Sequence, residues 1–357
     1  MQSFAIAPRN CVLGEGAVEE VGKLAVGFGR RAVILGGTTA LKVAYERVTT
    51  ALDREGVMHN VSTFTGECSR RQIDAAAELF ADCDVAVCIG GGKVLDTGKA
   101  ATQVAGIACI TVPTSAATCA ACTALSILHT DAGGYETGQF LDRCPEAMII
   151  DPELIITAPP RLLAAGVADA LARATETELA ARVGLPSTHA ALSLGVGRGY
   201  WGGLLEEEAG RALSACRAGR VTSEFERVVE ASILGAGLAS GLCGGFFHLS
   251  VAHAISYALT YFIRPEDALH GETVGLGILV QRLLEDSSGR TMERTRYQFD
   301  AWGLPLTFGA IKFPEVMDDA GRALAERTYT YLDREHAIPF SVTKTDLSQA
   351  IVMVESY

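Results

Sequence analysis

The chain is predicted to fold as a doubly wound, parallel α/β layer followed by an all-helical half. Three observations carry this. Short apolar runs alternate with helical patterns over the first ~150 residues, the mark of βαβ units. The pattern then changes after Asp151, and Pro159-Pro160 breaks the chain. At 357 residues the chain is also longer than one core usually serves. The predicted strands are Ala32–Leu35, Asp84–Ile89, Ala108–Val112 and Ala147–Ile150, with helices at Thr39–Glu55 and Arg71–Phe80. These strands are apolar on both sides, as expected where helices cover both faces. From Arg161 onward almost every segment reads as helix, with no convincing strand, and Pro160 suits a helix start. Two domains are expected, residues 1–157 and 158–357, with a cleft between them.

Composition narrows the function. Hydrophobic residues make up 49% and the formal net charge is −12. An acidic surface repels nucleic acid and anionic membranes, so a small-molecule substrate is the expected partner. The ten cysteines sit mostly in apolar strings such as DVAVCIGGG, and MQSFAIAPRN has no signal-peptide pattern. Reduced thiols in the cytoplasm follow. Ala231 to Ile263 lacks any charged residue and is long enough to span a bilayer, but it is dense in glycine and carries His248 and His253. It reads better as a buried helix pair around a polar site.

Chemistry-bearing residues fall in three places. Gly90-Gly91-Gly92-Lys93-Val94-Leu95-Asp96 follows a strand and opens a helix, where backbone N–H groups can meet phosphate. Alone it is equally an ordinary tight turn. Val112-Pro113-Thr114-Ser115-Ala116-Ala117-Thr118-Cys119 puts small, hydroxylated residues at a strand's carboxyl end, the ligand edge of open α/β sheets. Cys119 and Cys122 form a CxxC, best read as pocket-lining thiol rather than redox pair or half a zinc site.

The third place lies in the helical half. Asp169 sits among Ala165, Gly166 and Ala172, and a buried carboxylate needs a proton, a cation or a metal. Arg173, four residues on, is its ordinary partner. His253 and His270 could complete a three-ligand set with an open fourth position, although each alone is as readily a core residue. His248 is about 140° from His253 around a helix, so the two do not face one ion.

In this order, GGGKVLDTGKA, VPTSAATCAACTALSIL, RLLAAGVADALA, VAHAISYALT and LHGETVGLGILVQ resemble the iron-containing alcohol dehydrogenase superfamily, in its glycerol dehydrogenase branch. The resemblance runs to about residue 285 and implies a dehydroquinate synthase-like fold. It also implies that Asp169, His253 and His270 hold zinc or iron and act in catalysis. Gly91, Gly92, Lys93 and Asp96 fall on the pyrophosphate loop; Thr114, Ser115, Thr118, Thr123 and Leu125 fall beside the nicotinamide half. Homo-oligomers, dimers or larger, are implied too.

Departures from that pattern bear on specificity. Glycerol dehydrogenases have Asp where this chain has Cys119, and the Thr-Cys-Ala-Ala run is similar to hydroxycarboxylate dehydrogenases. Ser256 and Tyr257 replace residues of the substrate wall, Ser256 standing for a His. Gly37-Thr38 follows the first strand where NAD-preferring members place Asp, so NADP(H) is admitted beside NAD(H). The expected function is metal-dependent hydride transfer between NAD(P)(H) and a small carbonyl or alcohol: a 2-oxo or hydroxy acid, an aldehyde or a ketone. The alternatives are reduction of a cyclic imine, a dehydroquinate synthase-like lyase or cyclase, and a non-catalytic relative.

Overall fold

The computed structural model describes residues 5–183, 188–198, 203–243, 249–286, 288–314, 316, 319–335 and 338–357. Eight strands lie in the first 150 residues: β1 (Asn10–Leu13), β2 (Arg31–Gly37), β3 (Met58–Phe64), β4 (Val85–Gly90), β5 (Ala108–Pro113), β6 (Leu125–His129), β7 (Tyr135–Phe140) and β8 (Ala147–Ile150). Between them run α1 (Val21–Val26), α2 (Thr38–Arg54), α3 (Arg70–Phe80) and α4 (Gly92–Ala105). Six strands form one sheet in the order β1-β8-β5-β4-β2-β3, every pairing parallel.

Alternation along the strands explains the two covered faces. Ala32 and Ile34 of β2 join Val85, Val87 and Ile110 in a core under α1 and α2. Val33 and Leu35 point the other way, with Ala86 and Cys88, into the core that holds Ile73 and Phe80 of α3 and Ala100 of α4. That second core continues into the helical half. Every predicted strand is present, as are both predicted helices. Unpredicted are β1, β3 and the antiparallel hairpin β6–β7. β3 reads MHNVSTF and breaks the apolar rule because it is the sheet's edge, with Met58 66% exposed.

From Pro152 on, the described elements are helices: α5 (Pro152–Ile155), α6 (Pro160–Val183), α7 (Thr188–Val196), α8 (Gly203–Arg217), α9 (Ser223–Glu230), α10 (Ala236–Leu242), α11 (Val251–Leu259), α12 (His270–Glu285), α13 (Arg290–Trp302), α14 (Asp319–Glu335) and α15 (Lys344–Ser356). The uncharged stretch from Ala231 becomes a π-helical turn at Ala231–Gly235, then α10 and the fully buried α11. His248 lies outside the described residues. Among those residues no helix is long and apolar enough to cross a membrane.

Chain order sets where a ligand can bind. From β2 the chain moves outward to β3, then returns to β4 on β2's other side. The sheet therefore switches direction between the carboxyl ends of β2 and β4, which opens a crevice there.

Candidate active site

Three helices meet at the centre of the helical half, and glycines let them approach. A Cβ on Gly166 of α6 would lie 1.6 Å from the Ala116 carbonyl oxygen, so α6 rests directly on the loop after β5. A Cβ on Gly271 would lie 1.8 Å from the carbonyl oxygen of Ala165, so α12 starts against α6. Arg161 clamps the same junction, its Nη2 donating to Glu272 Oε2 at 2.6 Å, while Glu272 caps α12 by accepting from the Leu269 N–H at 2.8 Å.

This packing brings Asp169 of α6, His253 of α11 and His270 of α12 together. Asp169 Oδ1 lies 3.2 Å from His253 Nε2 and 3.5 Å from His270 Nε2. Hydrogen-bond directions assign the His270 tautomer, while His253 has a carboxylate at each ring nitrogen. The Thr273 hydroxyl donates to the His270 carbonyl at 2.7 Å, so at 2.6 Å it accepts from Ser256. The Ser256 hydroxyl is thereby used, and at 3.2 Å it accepts from His270 Nδ1–H. His253 Nδ1–H donates to Glu176 Oε1 at 2.7 Å. Neutral imidazoles so arranged would direct Nε2 lone pairs at the Asp169 carboxylate, which calls for a cation between them, either a bound metal ion or a proton on the imidazole itself.

The fit to a metal is close. Ligands at zinc-type bond lengths stand about 3.3 Å apart around a tetrahedral ion. The three donor atoms, one oxygen and two nitrogens, all lie within 4.8 Å of one another. Burial pushes the Asp169 carboxyl up, but hydrogen bonds and positive charge from the two imidazoles in their protonated form outweigh it and hold the group ionised, the part a metal ion would take when bound. Glu176, also buried, is drawn down to about 2 by His253 and Arg173. It also accepts from the Ser250 N–H and hydroxyl at 3.2 and 3.1 Å, the carboxylate–histidine support expected behind a metal ligand. Arg173 Nη1 donates to Glu176 Oε2 at 3.0 Å.

At the sheet's switch point α2 and α4 begin with Gly37 and Gly91 as caps, neither supplying a side-chain bond. Their first-turn N–H groups therefore face the crevice, as pyrophosphate binding requires. A Cβ on Gly92 would lie 3.3 Å from Thr118 Oγ1, and one on Gly91 would lie 3.7 Å from Ser115 Oγ. Thr114 ties the two loops through its N–H to the Gly90 carbonyl at 3.2 Å. Thr38 is exposed at the crevice mouth, and Lys93 pairs with Glu67.

A cavity joins this edge to the triad. Gly92, Asp96, Thr118, Thr123 and Leu125 line it on the sheet side; Asp169, Tyr257 and His270 line it on the helical side. Cys119 lies between them, its thiol pushed up to about 11 by burial and by Asp169. Cys122 lies behind it, and a Cβ on Gly237 would meet its sulfur at 2.5 Å. No cysteine is in a disulfide. A second cavity, lined by Thr175, Glu178, Arg198 and Arg282, involves none of the predicted site residues.

The structure corrects two expectations. Ser256 does not line the cavity; its hydroxyl serves His270 from behind, because α11 turns that side toward α12. Asp96 lines the cavity, but its carboxylate is held by Lys99 Nζ at 2.8 Å and the Ile127 N–H at 3.1 Å, so it fixes the hairpin start instead of offering itself to a ligand. Lys99, buried, also donates to the Thr123 carbonyl at 3.0 Å. Sequence reasoning missed Glu176, Lys99, His129 and Ser240. Glu176 carried a signal, standing seven residues after Asp169 and so on the same helix face. Tyr331, from the tail that bears no motif, packs edge-on at 5.6 Å against Tyr135, which stacks on Tyr257 at 3.9 Å.

Residues 8–152 match the model of the family described as iron-containing alcohol dehydrogenase. The chain is 32% identical to a glycerol dehydrogenase of Pseudomonas putida, covering 98% of this chain and 96% of that one. It is 32% identical to hydroxycarboxylate dehydrogenase A of Escherichia coli, covering 92% and 90%. A crystal structure of glycerol dehydrogenase from Schizosaccharomyces pombe superposes with a TM-score of 0.89 at 27% identity, over 99% of this chain and 90% of that one. The chain therefore belongs to the iron-containing alcohol dehydrogenase family, in its glycerol dehydrogenase-like branch, and is a metal-dependent oxidoreductase that works with a nicotinamide dinucleotide.

Proposed function

We propose that the chain interconverts a small carbonyl compound and its alcohol, with a zinc or iron ion held by Asp169, His253 and His270. The observation that carries this is the convergence of two oriented imidazole nitrogens on one buried carboxylate oxygen. Bound there, the metal would supply Lewis-acid polarisation of the substrate oxygen, and the nicotinamide would supply or take the hydride. The division of labour follows residues 1–157 and 158–357, with the cofactor on the first and the substrate oxygen on the second.

The chain's own residues do the rest. Gly37, Thr38, Gly91, Gly92 and Lys93 seat the phosphates and ribose. Thr114, Ser115, Thr118, Thr123 and Leu125 run beside the nicotinamide, and Leu125 and Tyr257 keep the cavity dry. The Ser256–Thr273 hydroxyl chain closes on a carbonyl and relays no proton outward. His129 lines the same cavity, and its buried Nδ1 has no hydrogen-bond partner among the described residues. Burial keeps this imidazole neutral, fit to exchange the hydroxyl proton at Nδ1.

Gly37 offers no carboxylate to repel a 2′-phosphate, so NADP(H) is the proposed preference. Cys119 offers no acceptor for a polyol hydroxyl, so glycerol is not the proposed substrate. The intact triad and the near full-length likeness to dehydrogenases favour neither the lyase nor the non-catalytic alternative. The ten unpaired cysteines favour the cytoplasm. The free edge strand β3, with Met58 and Val61 exposed, favours a homo-oligomer.

The test is a panel of carbonyl substrates followed by NADPH and NADH oxidation, on metal-free, zinc-loaded and iron-loaded protein. Metal-dependent turnover with NADPH favoured is expected. Equal turnover in the Asp169→Ala variant would remove the metal reading, and a strong NADH preference would remove the cofactor reading.

A further inference from the structure

Lys93 stands in the first turn of α4, at the edge assigned to the dinucleotide pyrophosphate, yet its ammonium is already engaged by the Glu67 carboxylate. The two partners differ in freedom. The Lys93 side chain is 53% exposed and that of Glu67 only 12%. Glu67 belongs to the connection between β3 and α3, which is tied to the turn of the β6–β7 hairpin. There the Cys68 carbonyl accepts from the His129 N–H at 2.8 Å, and the Ser69 hydroxyl donates to Asp131 Oδ1 at 2.7 Å. Arg71 Nε holds the same aspartate at 3.0 Å. Glu67 therefore stays in place, and Lys93, on its long flexible stem, is the partner that can move.

Charge turns this pair into a competition. A pyrophosphate entering the crevice offers Lys93 more negative charge than one carboxylate does. Holding both anions at once would bring the Glu67 carboxylate against the phosphates, and like charges at that range repel in a half-buried setting. Turning wholly to the phosphates costs Lys93 its ion pair and leaves Glu67 without it. Either way Glu67 opposes the cofactor.

We propose that Glu67 competes with the dinucleotide pyrophosphate for Lys93 and so sets how tightly the cofactor is held. The pair is closed in the free protein, opens as Lys93 turns to the phosphates, and closes again on release. The cofactor must leave after each hydride transfer, and a carboxylate that takes Lys93 back favours that step. This rests on the reading above that Lys93 helps seat the phosphates. Glu67 touches no reacting atom; it acts through Lys93, as a positioning residue.

The experiment is a double-mutant cycle on the intact chain. Calorimetry reads Kd for NADPH and for ADP-ribose, which keeps the pyrophosphate and lacks the nicotinamide. Glu67→Gln should tighten both by about 10-fold, since it removes a competitor and a like charge, while Kd for adenosine, which has no phosphate, stays unchanged. Glu67→Asp, with the charge on a shorter arm, should tighten them less. Lys93→Met should weaken both, and by about 5-fold more in the Glu67→Gln background than in the wild type, because no ion pair is then lost on binding.

A Glu67→Gln variant with unchanged or weaker NADPH binding would overturn the competition. Additive effects in the double variant would overturn it too, because Lys93 would then hold carboxylate and phosphate together. An equal shift for adenosine would do the same, since it reports a disturbed loop in place of a removed charge. If Lys93→Met leaves Kd unchanged in both backgrounds, the phosphate role of Lys93 falls with the proposal, while the carbonyl–alcohol reading, which turns on the triad, is untouched.

Discussion

Two buried carboxylates in this site do different work because their neighbours differ. Asp169 faces two imidazoles and offers an oxygen to a cation; Glu176 faces an imidazole, an arginine and Ser250, and only orients. Glu176→Gln should weaken zinc affinity about 10–100-fold, measured by competition with a chromophoric chelator, because it loosens the His253 ring without removing a ligand. Lys99 is a different case, a buried cation held by Asp96 on one side and backbone carbonyls on the other. Lys99→Met should cost about 3–5 kcal/mol of stability by denaturant titration, since it strands the Asp96 charge. Asp169 stood out in the sequence because a carboxylate among small residues demands a counter-ion, while its grouping with His253 and His270 came from the family resemblance. Glu176, Ser240 and His129 did not stand out, because a polar residue's role depends on which way packing turns it. Ser256 shows the same limit: its place next to Tyr257 was evident, its service to His270 was not.

At the scale of elements, helix approach is the controlling variable. Gly166 and Gly271 set the spacing of α6 against the β5 loop and of α12 against α6. Gly271→Ala should push His270 away from Asp169, lowering metal affinity at least as much as Glu176→Gln, with helical circular dichroism retained. Asp286, at the end of α12, closes the turn into α13. Its carboxylate is held down to about 2 by Ser288 and Thr291, whose hydroxyls donate at 2.6 and 2.8 Å. A depressed folded value means the cap stabilises above the usual carboxylate pKa of 3.8 and is lost as pH falls through about 2. The midpoint of thermal unfolding for Asp286→Asn should thus trail the wild type at pH 6 and converge with it near pH 2. Strands covered on both faces announce themselves as apolar runs, which is why β2, β4, β5 and β8 were readable. β3 is polar because it borders solvent, and β6 and β7 are buried on one face at most, so neither carried the continuous apolar signal.

Across the whole molecule the sheet and the helical half share one core, so the crevice at the β2–β4 switch point and the triad are held in fixed relation. The change of pattern at Pro159-Pro160 made this two-part architecture readable. The contribution of α14 was not, since Tyr331 acts only by closing over Tyr135 and Tyr257. A cation bridging α6, α11 and α12 should stabilise the entire chain. Zinc at a hundred times its Kd should add about 2.7 kcal/mol, raising the midpoint of thermal unfolding in the wild type and not in Asp169→Ala.

The most direct test is X-ray absorption at the metal edge of zinc-loaded protein, together with metal content by mass spectrometry. One ion per chain is expected, with two imidazole nitrogens and a carboxylate oxygen at about 2.0–2.2 Å. The signal should vanish in Asp169→Ala. Full metal content in that variant, or a shell without imidazole scattering, would contradict the site described.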